Sequence, residues 1–359
     1  MKVLFITHAG TKYENISSIA EIVDEVTVLG YIKHRNEIIR YPPQPSIKEN
    51  IRIIYAKNLI SFLLKPRKIK ADLVIAHCPI SGLAAYLSGK KFKFLMCQDF
   101  YEYHELVRQP KLKKLISLFL IKAMTRISCK NASSVICLST YIQKKAIGYG
   151  AKKTNVIPMW GIDMKHLSPN NKDPDLKKKL GIKNQKVLFT LARLSPEKGL
   201  QYLIKSIKIL EKENIFLIIA GKGSEEIYLK NLVKQLNLGS KIIFINYIPF
   251  EEVPHYHNIA DICLLVSLKE GLGIGAIEPL ACKKPVIGSN TGGIVDTIIH
   301  NKTGLLVEPG NSQQIADSIM LLLKDKKLRY RLVQEGFKHV SKNFEQKKVI
   351  KRYQEEILN

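Results

Sequence analysis

The sequence predicts an α/β protein built as two doubly wound, Rossmann-like parallel sheets, and three observations carry that expectation. Short apolar runs alternate with helix-length segments along the whole chain, as strands joined by crossover helices do. The pattern restarts after "IPMWGIDMKHLSPNNKDPDLKKKLGI", a stretch rich in Pro, Gly, Asn and Asp that reads as a linker near residues 158–183. A chain of 359 residues also exceeds one ordinary core, so two domains are expected. The expected division is 1–165, joined by a C-terminal helix over 343–359, and 166–342.

Taken in order, the strands expected in the first half are "KVLFIT", "EVTVL", "IRIIYA", "DLVIAH", "KFLMC" and "SVICLS". "MKVLFITHAG" has an apolar run too short for a signal-peptide core and reads as the first strand. The second half supplies "KVLFTLAR", "FLIIAGKG", "KIIFINY", "ICLLVS" and "PVIGSN", separated by helical stretches such as "LQYLIKSIKILEKE". The C-terminal "EGFKHVSKNFEQKKVIKRYQEEILN" reads as two helices broken near Lys342 and Asn343. No apolar stretch approaches the roughly 18 residues of a spanning helix. Cys78, Cys97, Cys129, Cys137, Cys263 and Cys282 are scattered, without CxxC pairs or His partners at metal spacing. They read as buried, reduced thiols of a cytoplasmic protein.

The net charge is +26, and it is uneven. Residues 1–162 hold 26 Lys and Arg against 10 Asp and Glu, and 106–162 hold 11 basic residues and no acid. Such a field attracts polyanions: nucleic acid, an anionic membrane or phosphorylated substrates. A generally Lys-rich proteome is the bland alternative. Within the acid-free region, "KLKKLISLFLIKAMTR" (111–126) places Leu112, Leu115, Ile116, Phe119 and Ala123 on one helical face, expected to pack on the sheet. Leu118, Leu120 and Ile121 fall outside that stripe, among Lys111, Lys113, Lys114 and Lys122, and "LISFLLKPRKIK" (59–70) is similar in kind. Basic residues beside apolar ones suit an anionic bilayer surface; the alternative is a buried helix and a soluble polyanionic acceptor. Neither stretch carries the interleaved aromatics of a single-strand nucleic-acid platform, so nucleic acid is not an expected partner.

The chemistry concentrates at strand-to-helix junctions of the second half, where open α/β sheets bind ligands. In "LARLSPEKGLQYLI", Arg193 and Lys198 share one loop and suit a diphosphate, although pairing with Glu197 is equally open. "IAGKGSEE" brings a strand into a Gly-x-Gly turn at Gly221, a weak signal alone. In "EGLGIGAIE", glycines let the backbone approach a ligand and the following helix start offers free N–H donors. Glu270 and Glu278 border that turn. A carboxylate in a phosphate site is costly unless it faces hydroxyls, so the economical ligand has phosphates in its middle and polyols at each end, as nucleotide-sugars do. The bland alternative makes Glu270 a loop acid and Glu278 a helix-dipole complement.

"EGLGIGAIEPLACKKPVIGSNTGG" closely resembles the E-x7-E region of the family 4 retaining glycosyltransferases. "ARLSPEKG", "NKTGLLVEPGN", "ASSVICLSTYIQKKAIGYG" and "NVIPMWGID" match that family's other segments in order. The resemblance implies the GT-B architecture, two such domains facing a cleft, with the acceptor on the N-terminal domain and the nucleotide-sugar on the C-terminal one. It implies transfer of a hexose to an acceptor hydroxyl with retained configuration, no cofactor beyond the nucleotide-sugar co-substrate, and no metal. Arg193 and Lys198 would then stabilise the leaving diphosphate and Glu270 touch the donor sugar. Glu278 would bind the ribose, Gly271 and the amides of Leu272, Gly273 and Ile274 the phosphate or sugar, and the backbone near Tyr247 and Ile248 the base.

Two departures fall on the acceptor side. The family usually carries a Gly-Gly pair after the first strand and a His after a later one; here Gly10 stands alone and Gln98 occupies "CQDF". Gln98 donates to a hydroxyl but moves no proton at neutral pH, leaving His8, His77 or His104 to substitute. The expected acceptor is a lipid-linked or membrane-presented glycan, on a protein peripheral to the inner membrane face. The alternatives are the same chemistry on a soluble acceptor, a sugar phosphate or polysaccharide, or, from another class, a basic nucleic-acid-binding or catalytically dead subunit.

Overall fold

The computed structural model describes residues 1–7, 11–31, 39–40, 48–97, 111–158 and 161–359. The chain divides into two compact units, Met1–Trp160 with Val349–Asn359, and Gly161–Lys348. The sequence expectation had placed these crossings at 165/166 and 342/343.

The first unit holds β1 (Lys2–Thr7), β2 (Thr11–Lys12), β3 (Glu25–Tyr31), β4 (Ile39–Arg40), β5 (Ile51–Ala56), β6 (Leu73–His77), β7 (Phe92–Met96), β8 (Ser134–Cys137) and β9 (Thr154–Val156). Seven form one parallel sheet in the order β5-β3-β1-β6-β7-β8-β9, while β2 and β4 pair separately. The second unit holds β10 (Lys186–Leu191), β11 (Ile215–Ala220), β12 (Ile242–Ile245), β13 (Ile262–Leu265), β14 (Val286–Ser289) and β15 (Leu305–Val307). They form a parallel sheet ordered β12-β11-β10-β13-β14-β15. Helices cover both faces of such sheets, so central strands bury both sides and read as unbroken apolar runs; β8 and β13 are buried at every position.

In each sheet the chain builds outward on one side and then crosses to the other. The reversal falls between β1 and β6 in the first unit and between β10 and β13 in the second. Loops at the carboxyl ends of those strands therefore flank an open crevice, the usual ligand position in this class.

The last two helices are Lys326–Asn343 and Gln346–Leu358. The break is clasped by Ile162, whose N–H donates to the Phe344 carbonyl at 2.8 Å and whose carbonyl accepts from Gln346 at 3.0 Å. The final helix returns to the first unit, where Val349, Tyr353 and Ile357 join the core. Its Glu356 is almost wholly buried. It pairs with the buried Lys93 of β7 at 3.2 Å, and accepts from Ser134 of β8 and, at 2.5 Å, from Asn155 of β9.

The helix Lys111–Asn131 corrects the expectation for its apolar face. Leu112, Leu115 and Phe119 are 74%, 69% and 71% exposed, and Ile116 and Leu120 are exposed beside them. Burial falls instead on Thr125, Ser128 and Cys129 of the C-terminal half, where the helix packs on the helix Pro79–Leu87. A 21-residue helix is about 31 Å long; its buried positions lie in its C-terminal half, and its first turns carry their apolar stripe to the surface. Among the described residues no helix is long and apolar enough to cross a membrane.

Removing one partner of a buried ion pair strands the other. Glu356→Ala should therefore cost about 3 kcal/mol or more in urea unfolding. The same change at the exposed Glu335, paired with Lys338, should leave the unfolding midpoint nearly unmoved.

Candidate functional site

The loop after β10 carries Arg193 and then a short 3-10 turn, Pro196–Lys198. It is held against the end of β13 by backbone contact. Gly199 takes φ +63°, and a Cβ there would stand 2.4 Å from the Val266 carbonyl. Leu268 N–H donates to the Glu197 carbonyl at 2.7 Å. The loop after β13 is braced from its other side by the turn after β14: a Cβ on Gly292, φ +53°, would stand 2.0 Å from the Glu270 carbonyl, which also accepts from Gly293 N–H at 3.0 Å. Only glycine permits these approaches.

With the two loops so fixed, Lys198 Nζ lies 2.6 Å from Glu270 Oε2, and both side chains are 17% exposed. Ser267 Oγ donates to the same carboxylate oxygen at 3.1 Å. Glu197, the rival partner for the basic pair, instead accepts from Ser195 Oγ at 2.6 Å. Arg193 is exposed on the loop between β10 and that turn. Lys198 and Glu270 thus face each other across the switch point of the second sheet.

Downstream, Gly273 at φ +92° starts the helix Ile274–Ala281 with no side-chain cap, leaving its first N–H groups open to an anion. Leu272 is buried and Ile274 exposed. Glu278, one turn inside, faces His257 of the helix Val253–Ile259, with His257 Nε2 3.5 Å from Glu278 Oε2. Gly221 follows β11, and Tyr247, exposed, and Ile248, buried, follow β12. In a parallel sheet Gly221, Tyr247 and Ile248 stand at the same carboxyl end as the loops after β10 and β13. Two participants escaped the sequence reading. Ser267 merely ended an apolar run, and His257 sits in "VPHYHNIAD" with nothing in its spacing to separate it from His255.

The switch point of the first unit carries a second polar group. Thr7 ends β1 and His77 ends β6, in register. Thr7 Oγ1 is 3.5 Å from His77 Nδ1, and Cys97 Sγ is 3.2 Å from His77 Nε2. Burial pulls the His77 pKa down to about 4 and pushes the Cys97 thiol up to about 12, so at neutral pH both are uncharged. Cys78 takes φ +81°, a backbone region costly for a side-chain-bearing residue and concentrated at functional sites. His8, Gly10, Gln98 and His104 lie outside the described residues.

Two family profiles match the chain: "Glycosyl transferases group 1" over residues 172–339 and "Glycosyltransferase Family 4" over residues 17–165. The capsular polysaccharide biosynthesis glycosyltransferase CapM of Staphylococcus aureus is 26% identical over 87% of this chain and 82% of its own length. A GDP-mannose-dependent phosphatidylinositol monomannoside mannosyltransferase of Mycolicibacterium smegmatis is 29% identical over 56% of each. For other relatives of about 30% identity the match spans about half of the relative's length, 49% and 47%. Among solved structures, sucrose-phosphate synthase from Thermosynechococcus elongatus superposes with a TM-score of 0.79 at 19% identity, covering 98% of this chain and 97% of that one. At that identity the likeness speaks for the fold, the GT-B architecture.

The depressed His77 pKa has a thermodynamic consequence. The unfolded chain binds a proton near pH 6.5 that the folded chain refuses until about pH 4, so this contribution is complete above pH 6.5 and is lost as pH falls toward 4. His77→Asn should shrink the loss of unfolding free energy between pH 7 and pH 4.5 by about 2 kcal/mol in denaturant titrations.

Proposed function

We propose that the chain, which belongs to the family 4 glycosyltransferases, moves a hexose from a nucleotide-diphosphate sugar to an acceptor hydroxyl with retention of configuration. The observation that carries this reading is the facing of Lys198 and Glu270 at the switch point of the second sheet, 2.6 Å apart beside an uncapped helix start. A cation, a carboxylate and open backbone donors on one edge match a ligand that is anionic in its middle and hydroxylated at its ends.

In the proposed reaction Arg193 and Lys198 hold the diphosphate. As the bond from anomeric carbon to phosphate oxygen breaks, they stabilise the charge gathering on the leaving oxygen. The acceptor oxygen bonds to the anomeric carbon on the face the phosphate leaves, and the acceptor's proton passes to a phosphate oxygen. Neither step calls for a metal. Glu270 orients the sugar hydroxyls and Glu278 those of the ribose. Glu270 and Lys198 pair with each other, so in the proposed complex the diphosphate takes over the lysine while the sugar takes over the carboxylate. That exchange favours an intact nucleotide-sugar over a bare nucleotide.

The first unit is proposed to receive a lipid-linked or membrane-presented glycan, on a protein peripheral to the inner membrane face. What supports this is the exposed stripe Leu112, Leu115, Ile116, Phe119 and Leu120, flanked by Lys113, Lys114 and Lys122. Leu59, Ile60 and Leu64, beside Lys65, Arg67 and Lys68, add a second exposed group. Apolar side chains inserting below the headgroups, with lysines among the anionic phosphates, fit such a surface. The lipid substrate in the name of the mycobacterial relative agrees in kind.

Thermal stabilisation by UDP-, GDP- and ADP-sugars tests the donor reading: one of them at 100 times its Kd should add about 2.7 kcal/mol, and stabilisation by none would overturn it. Glu270→Gln should bind the corresponding bare diphosphate about fivefold tighter, by releasing Lys198, while turnover collapses. In vesicle flotation, binding to anionic lipid should fall at least tenfold when Leu115 and Phe119 are both replaced by Ser. Wild-type protein indifferent to anionic lipid would instead point to a soluble acceptor.

A further inference from the structure

Behind the carboxylate assigned to the ribose lies a histidine that the sequence did not single out. His257 is 2% exposed, and its ring is held on three sides. It meets Phe189 of β10 edge-on, with ring centroids 5.1 Å apart at 72°. Its Nδ1 lies 3.6 Å from Cys263 Sγ, within β13. Its remaining nitrogen, Nε2, has no hydrogen-bond partner, although it is fully buried and lies 3.5 Å from Glu278 Oε2.

A buried donor without a partner costs about 1–3 kcal/mol, and such groups call for an explanation. Cys263 Sγ and His257 Nδ1 share one contact whose direction follows the tautomer; with the thiol donating to Nδ1, the ring proton sits on Nε2, on the side of Glu278. A carboxylate oxygen moving only a few tenths of an ångström would complete the bond.

We propose that His257 is a positioning residue of the donor site: its Nε2–H holds one oxygen of Glu278, so that the other is presented to the vicinal hydroxyls of the donor ribose. The proposal rests on the reading of Glu278 given above. The separation of 3.5 Å shortens to a hydrogen bond as the ribose diol fixes the carboxylate rotamer. The histidine itself does not touch the donor. Its contribution is a second anchor for the carboxylate that carries the diol, made when the nucleotide is bound. Helix Val253–Ile259 packs on helix Ile274–Ala281, so the two partners are carried on adjoining rigid elements, which is how well-defined sites are supported.

The experiment compares binding of UDP and of GDP with their 2′,3′-dideoxy analogues, by calorimetry, using the full chain. Whichever base binds, His257→Phe keeps an aromatic ring against Phe189 but removes the donor. It should weaken the ribonucleotide about tenfold and leave the dideoxy analogue within about twofold of wild type. His257→Gln, which places an amide N–H near the position of Nε2, should recover most of the lost affinity. Glu278→Ala should abolish the preference for ribose, and adding His257→Phe to it should cost nothing further.

Equal weakening of both nucleotides by His257→Phe, without recovery in His257→Gln, would show a packing role and overturn the proposal. Retention of full ribonucleotide affinity by His257→Phe, while Glu278→Ala loses it, would also overturn it and leave the ribose reading standing. If Glu278→Ala itself leaves the ribose preference untouched, it is the assignment of Glu278 that fails. Should His257→Phe not fold, as judged by its melting profile, the comparison of His257→Gln with His257→Ala on the same two nucleotides decides between the same outcomes.

Discussion

The ion pair between Lys198 and Glu270 joins two loops that lie 72 residues apart in sequence. Its geometry follows from a constraint on the backbone rather than from the charges. Gly199 lets the first loop lie against the carbonyl of Val266, and Gly292 lets the turn after β14 lie against the carbonyl of Glu270. Three loops, from β10, β13 and β14, are therefore wedged together, and the two charged side chains meet because their backbones have nowhere else to go. A partly buried pair of this kind contributes little net stability, since desolvation offsets the attraction. Its effect is to hold both groups in place where the three loops meet.

The same preorganisation extends outward from that pair. Ser267 shares the carboxylate oxygen with Lys198, so Glu270 is oriented from two directions. Glu278 has behind it a histidine set between a phenylalanine and a thiol, its Nε2 3.5 Å from the carboxylate. Arg193, by contrast, stands in water at the rim. The two basic residues, similar in the sequence, thus differ in setting: the guanidinium is exposed, the ammonium paired and mostly buried.

The two units place their resources differently. In the first, a buried lysine and glutamate tie the returning C-terminal helix to the sheet, and the switch point holds an uncharged histidine next to a protonated thiol. Its charge is carried outside, around an apolar stripe whose residues face solvent. Large exposed side chains in a contiguous stripe are uncommon on monomers and mark contact surfaces. In the second unit the polar chemistry is gathered at the sheet edge.

Much of this was legible from residues alone. Repeated buried strands write themselves as apolar runs, so both sheets and their order of elements could be anticipated, and the spacing of Glu270 and Glu278 around glycines pointed to the turn after β13 as the candidate site. The strands β9 and β15 were not anticipated, because three residues at a sheet edge carry too little periodicity. The stripe at 112–119 was identified as a face, but its direction was misjudged: a helical period says which side chains share a side, while exposure depends on how far the neighbouring layer reaches. The partnership of Lys198 with Glu270, and that of His257 with Glu278, belongs to tertiary structure alone. Local sequence sets which side chains a loop or helix presents, but contacts across 72 residues or between two helices arise only when parallel strands bring their ends to one edge and close packing fixes the distances.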